Sequence, residues 1–192
     1  MQRVYEIFEV PPSGSRQRVA VVSGLESAKA RLHELANRTR NECFAADSRT
    51  HQIVALMNVP SAKWRAAKHI FQVSYNEEFG ARRAELLQSH GYALASVIGN
   101  DAAKVVLSPT QPYDLFIIGH AAAMQTRHEI VLWLKAKYPR IKILALNPPN
   151  QEVPQADYNA PQDAPETWLA IISRELTNPA DSSARTKTST NA

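Results

Sequence analysis

The chain has 192 residues, 44% hydrophobic and 21% charged, with a formal net charge of +4. That is a core-forming composition with room for one ordinary globular domain or two small ones. No apolar stretch reaches the ~18 residues needed to span a bilayer, and the opening MQRVYEIFEV has no signal-peptide apolar segment, so a cytoplasmic protein without a membrane partner is expected. A single cysteine, Cys43, excludes an internal disulfide and a zinc site built on several thiolates; beside Phe44 it reads as a small core residue.

The charge is uneven. Lys and Arg outnumber Asp and Glu by 10 to 6 over residues 1–67, are outnumbered 10 to 11 over 68–178, and lead 2 to 1 over 179–192. The basic excess thus lies outside the middle of the chain.

RVYEIFEV alternates in the manner of a strand, PPSGS is a turn, and QRVAVVSG is a second strand. Ser23-Gly24-Leu25-Glu26 has capping-box spacing and predicts a helix start there. Leu25, Ala28, Leu32 and Leu35 recur at helical spacing, with Lys29, Arg31 and Glu34 largely on the other side. NECFAAD and HQIVALMN read as two more strands, so residues 1–60 form a small basic α+β domain of order β-β-α-β-β. SAKWRAAK, residues 61–68, reads as a linker, in which Trp64 docks the two units together or faces a partner.

From His69 to residue 178 the rhythm changes to strands alternating with helices. IFQVS is followed by the helix NEEFGARRAELLQSHG, closed by Gly91, and YALASVIG by a short helix stopped by Pro109. YDLFIIG is a third strand, QTRHEIVLWLKAKYP a helix whose Trp133 packs on the sheet, KILALN a fourth strand, ADYNAP a fifth and APETWLAIISREL the last helix. Alternation of this kind implies a doubly wound α/β unit with a five-stranded parallel sheet. The tail 179–192, rich in Ser and Thr, is expected to be disordered.

This second unit resembles the receiver domain of two-component response regulators, through its element order, the phrase YDLFIIG and the helix-Gly-Tyr of SHGYALASV. The resemblance implies a flavodoxin-like fold and a pocket with an aspartate after the third strand, an acidic pair after the first to hold Mg²⁺, a hydroxyl after the fourth and a lysine after the fifth. The aspartate takes the phosphoryl group while the metal and lysine neutralise its oxygens. The corresponding positions here are Gly119, Ser74-Tyr75, Asn147 and Ala160. Glu77 and Glu78 come a helical turn too late. The resemblance therefore implies a pseudo-receiver without the phosphoacceptor, with no cofactor, no metal and no catalytic residue. NPPNQEVPQ, with three prolines in nine residues, replaces the family's fourth helix with a loop.

Three functional readings follow. The favoured one is a non-catalytic signalling protein that presents a surface to a signalling partner or to a second copy of itself. In the alternative, Lys29, Arg31, Arg38 and Arg40 form a nucleic-acid contact, although interspersed Glu26, Glu34 and Glu42 favour a solvated face. The weakest is an enzyme at the sheet mouth around Ser74, His120 and Asn147; His120, with His128 eight residues on, is the residue there able to act as a base or phosphohistidine. Arg82-Arg83, offset by Glu77, Glu78 and Glu85, reads as another solvated helix face.

Overall fold

A computed structural model describes residues 2–59, 67–107 and 113–177. In β1 (Val4–Val10) the period-two pattern buries Tyr5 and Ile7 and leaves Val4, Glu6 and Phe8 half-buried on the other face. β2 (Gln17–Ser23), β3 (Glu42–Asp47) and β4 (Ile53–Met57) complete an antiparallel sheet of order β2-β1-β3-β4. α1 (Leu25–Arg38) buries Ala28 and Leu32 against one face of it.

The capping box does not form. Ser23 is still in β2, paired with Val4, and Gly24 is the helix cap at φ +86° with no side chain bonded there. Its N–H donates instead to the Arg3 carbonyl at 2.8 Å. The abrupt strand-to-helix turn needs a left-handed residue, which glycine adopts without strain, and this leaves the serine hydroxyl one position too early.

The second unit runs β5 (His69–Ser74), α2 (Glu77–Ser89), β6 (Ala93–Ile98), α3 (Asn100–Val106), β7 (Leu115–Ile118), α4 (Met124–Lys137), β8 (Lys142–Asn147), β9 (Tyr158–Pro161) and α5 (Pro165–Thr177). Its five strands are parallel in the order β6-β5-β7-β8-β9. Ile70, Leu115, Ile117, Leu144 and Leu146 face Ala84 and Leu87 of α2 and Trp168 and Ile172 of α5. Phe71, Val73, Phe116, Ile118 and Ala145 face α3 and α4. Because β7 returns to the other side of β5, the order reverses between these two strands, and the crevice beyond their carboxyl ends is where such sheets accept ligands.

Between β8 and β9 residues 148–157 form no helix, in line with the proline density. The loop is held from inside: Val153 is fully buried, its N–H donates to Asn159 Oδ1 at 2.8 Å, and its carbonyl accepts from Asn159 Nδ2 at 3.3 Å.

The two sheets share one apolar cluster, in which Tyr5, Ile7, Leu32 and Val54 continue into Phe71, Val97 and Phe116. Lys29 Nζ donates across the junction to the Val105 carbonyl at the end of α3. Arg3 pairs with Asp47 at 3.0 Å and also with Glu77 at the start of α2. Residues 61–66 of the expected linker, Trp64 among them, lie outside the described residues, as do Pro109 and the tail 179–192.

Candidate functional site at the carboxyl end of the parallel sheet

β5 ends on Ser74 and β7 is followed at once by Gly119, so the two flank the crevice at the reversal of strand order. Gly119 N donates to Val73 O at 2.8 Å, which fixes its backbone against β5. A Cβ at Gly119 would lie 3.3 Å from Val73 O, 3.5 Å from Ser74 Cα and 3.5 Å from Arg83 Nη1. The group facing this position is therefore a guanidinium.

Arg83 was expected to be solvated, and the structure corrects this. Arg82 does face water, paired with Glu78 at 2.6 Å, but Arg83, one position further round α2, is only 7% exposed. Consecutive residues on a helix point about 100° apart, so a charged pair in sequence need not share an environment. Arg83 Nη1 donates to Gln72 Oε1 at 3.1 Å, and Gln72 Nε2 in turn donates to Gly80 O and Ser96 Oγ. Burial pulls the Arg83 guanidinium down to about 10.

A second buried arginine enters from the opposite face. Arg127 on α4 is fully buried; its Nη1 donates to Leu146 O and Asn147 Oδ1, both at 2.9 Å, and its Nη2 reaches Gln151 Oε1 at 3.4 Å. Its Nε–H has no acceptor. Burial lowers its pKa too, partly offset by Tyr75. Among the described residues neither guanidinium hydrogen-bonds a carboxylate.

The sheet end thus brings Ser74, Tyr75, Gly119, His120 and Asn147 together, with Ala160 one pair back, buried in β9 against the core. Ser74 Oγ donates to the Asn76 carbonyl, and Tyr75 OH donates to Asn100 Oδ1 at 2.7 Å, with burial pushing the phenol up. Asn76 caps α2 through Oδ1, which accepts from Phe79 N at 3.0 Å. His120 packs on Phe79, ring centroids 4.8 Å apart, and its buried Nδ1 has no partner. Burial, then Arg83 and Arg127, lower its pKa.

These residues do not fit the receiver's Mg²⁺. After β5 stand a serine already hydrogen-bonded and a tyrosine, Glu77 is ion-paired with Arg3 and Arg49, and a guanidinium faces Gly119. Among the described residues no three His, Cys, Asp or Glu side chains form a group able to hold a metal ion. The Ser74 hydroxyl is committed to a backbone carbonyl rather than to a base.

The remaining expectations fall elsewhere. Lys29 is engaged with the Val105 carbonyl, while Arg31 and Arg38 both pair with Glu34, leaving Arg40 as the one member of the proposed basic stripe outside these contacts. Cys43 is fully buried, and burial raises its thiol to about 11. Trp133 packs at the core edge against Tyr138. Arg127 carried no sequence signal beyond its place in a helix of mixed polarity.

No protein-family model matches this chain, and no curated protein does either. Solved structures do. The response regulator TrrA of Thermotoga maritima, in complex with Mg²⁺–BeF, superposes with a TM-score of 0.51 at 18% identity, over 57% of this chain and 99% of its own. A CheY-like receiver domain from Methylobacillus flagellatus gives 0.50 at 18%, over 57% and 98%. The non-phosphorylated HemR receiver domain of Leptospira biflexa gives 0.51 at 15%, over 58% and 95%. Over somewhat more than half its length the chain therefore has the fold of a response-regulator receiver domain, with a four-stranded antiparallel sheet before it.

Proposed function

We propose that this is a cytoplasmic, response-regulator-like signalling protein whose pseudo-receiver, residues 69–178, acts as a phosphorylation-independent protein-interaction module beside the small basic domain of residues 1–60. It performs no catalysis of its own. Its partner is a signalling protein, or a second copy of the chain in a homodimer. The observation that carries this reading is Gly119 at the end of β7 with Arg83 Nη1 beside the space a side chain would occupy. Phosphoryl transfer by the receiver route needs a carboxylate there and acids around a metal; Ser74, Tyr75, Asn147 and Ala160 supply neither.

The nucleic-acid reading loses ground because Lys29, Arg31 and Arg38 already have partners within the chain. Counterion release needs cations free to meet phosphates. A gel-shift with mixed DNA and RNA is accordingly expected to show no complex at physiological salt.

The deciding experiment is incubation of the full chain with Mg²⁺ and a small phosphodonor, followed by intact-mass measurement. Unmodified protein is expected, from the wild type and also from Gly119→Asp, whose new carboxylate would meet Arg83 before any metal. A phosphoryl adduct on the wild type would refute the reading. An affinity pulldown from the source cells would then identify the partner.

A further inference from the structure

The joint between the two units encloses a cavity of about 230 Å³, and none of the crevice residues lines it. Leu25 of α1 and Val54 of β4 wall it from one unit, Val97 of β6 and Val105 of α3 from the other. Ligand sites favour such junctions, with an apolar wall and a few polar groups that orient what enters. Those polar groups are unequally satisfied here. Arg3 pairs with both Asp47 and Glu77, and Asp47 Oδ1 also accepts from the Arg49 and Thr50 N–H groups at 2.9 and 3.0 Å. Lys29, which reaches across to α3, is committed to the Val105 carbonyl. Asp101, exposed at the rim in the first turn of α3, has no hydrogen bond or ion pair among the described residues. Tyr5 is only 4% exposed, yet its phenol has no hydrogen-bond partner among them either. Burial raises its pKa, while Arg3 and Asp47 act on it in opposite senses, so the hydroxyl stays protonated at the polar end of the cavity. A buried hydroxyl left unbonded costs free energy that a ligand can return.

We propose that this cavity binds a small organic amine with an apolar body, its ammonium group towards the Asp101 carboxylate and the Tyr5 hydroxyl. By proportion to the ~150 Å³ apolar cavity that holds benzene, the volume suits a molecule of roughly nine non-hydrogen atoms. The sign of the charge follows from what is left over. Arg3 is already answered by two carboxylates, so an anion would have to displace one of them, whereas Asp101 offers a negative charge that nothing in the chain uses. The Tyr5 oxygen accepts from an ammonium and so gains the bond that the chain does not give it. Because the walls come from both units, the amine binds only where the two are joined, and binding stabilises their junction by mass action. The inference goes beyond the protein-interaction reading, which survives if it fails.

The test titrates the full ¹⁵N-labelled chain with 2-phenylethylamine, and with 2-phenylethanol and phenylacetate as a neutral molecule and an anion of similar size. Saturable amide shifts are expected around Tyr5, Val54, Val97 and Ala102. The amine should bind roughly three- to fivefold more tightly than the alcohol, and phenylacetate more weakly than either. Asp101→Asn, at an exposed side chain, should remove the amine's advantage over the alcohol. Ala102→Leu, which fills the cavity from α3, should abolish binding of all three, while Glu166→Gln on the exposed side of α5 should change nothing. Where Ala102→Leu fails to fold, the Asp101→Asn comparison decides alone. Absence of saturable shifts at tens of millimolar amine, phenylacetate binding as tightly as the amine, or wild-type amine affinity in Asp101→Asn would each overturn the proposal.

Discussion

The two ends of the parallel sheet solve the same problem with opposite charges. At the amino end, Asp114 Oδ2 accepts from His69 N at 2.8 Å, and Asp157 Oδ2 accepts from Ile143 N at 2.8 Å while pairing with Lys135. These carboxylates satisfy strand donors that the ladder leaves over, and Asp157 is answered by Lys135 and Lys142. At the carboxyl end the buried cations are Arg83 and Arg127, which bond to amide and carbonyl oxygens and, for Arg127, to the Met124 thioether. The amino end uses its carboxylates to hold strand donors and serves stability; at the carboxyl end two buried cations hydrogen-bond neutral groups, an arrangement of the sort that structures retain at functional sites.

The largest effect should come from disturbing what both ends share. Phe116 in β7 is fully buried and makes edge contacts with Phe71 at 6.2 Å and Tyr138 at 5.4 Å. Phe116→Ala should lose about 3–5 kcal/mol in denaturant unfolding, and a loss under about 1 kcal/mol would show that this face of the sheet is not the core.

Removing one charge from each end should then expose the asymmetry. Asp157→Ala leaves Ile143 N and Lys135 without their acceptor and should cost about 1–3 kcal/mol. Arg83→Met removes a buried cation along with one hydrogen bond, and its effect should stay within about 1 kcal/mol of zero. Equal losses from the two variants would contradict the division drawn here.

Acid should act on the amino end in the same sense. Burial pushes Asp157 up, but Lys135, the Ile143 N–H and Lys142 outweigh it and hold the carboxyl below its ordinary value. A pKa depressed in the folded state means stability that is fully present above the unfolded value, near pH 4, and is lost as pH falls towards the folded one. Asp157→Asn should therefore flatten the fall in stability below about pH 4. Asp47, where the Thr50 and Arg49 N–H groups and Arg3 overcome burial, should contribute to the same fall in both proteins.

The smallest effect belongs to the rim. Phe79, 40% exposed and tilted against the His120 ring, should tolerate Phe79→Ala with a change under about 1 kcal/mol. A larger loss would mean that the crevice mouth is packed more tightly than this exposure indicates.

Much of the architecture was legible because it rests on periodicity and punctuation. The alternation in VYEIFEV, the unbroken LFII, the prolines of 148–154 and Gly91 at φ +85° each express a local rule, and the resemblance in YDLFIIG led to the crevice itself. The crevice's charge was not legible. Arg82 and Arg83 are adjacent in sequence yet lie in different media, because helical geometry turns one towards water and the other towards Gln72. Arg127 is buried by contacts with residues 19 and 20 positions away, and no spacing rule reaches so far. The Ser23 hydroxyl failed for a local reason: β2 extends one residue further than the capping pattern assumed.

The loop that replaces a helix between β8 and β9 bears on the unfolded chain as much as on the native one. Pro148, Pro149 and Pro154 restrict the backbone before folding begins, each by an amount worth about 0.4–1 kcal/mol where the native φ suits proline. The segment therefore has less freedom to surrender when it closes over Val153 than a loop of ordinary composition would. Asn159 then lends its side-chain amide as a partner for the Val153 peptide groups, so a single residue of β9 supplies the order that a helix would otherwise have provided with its own ladder.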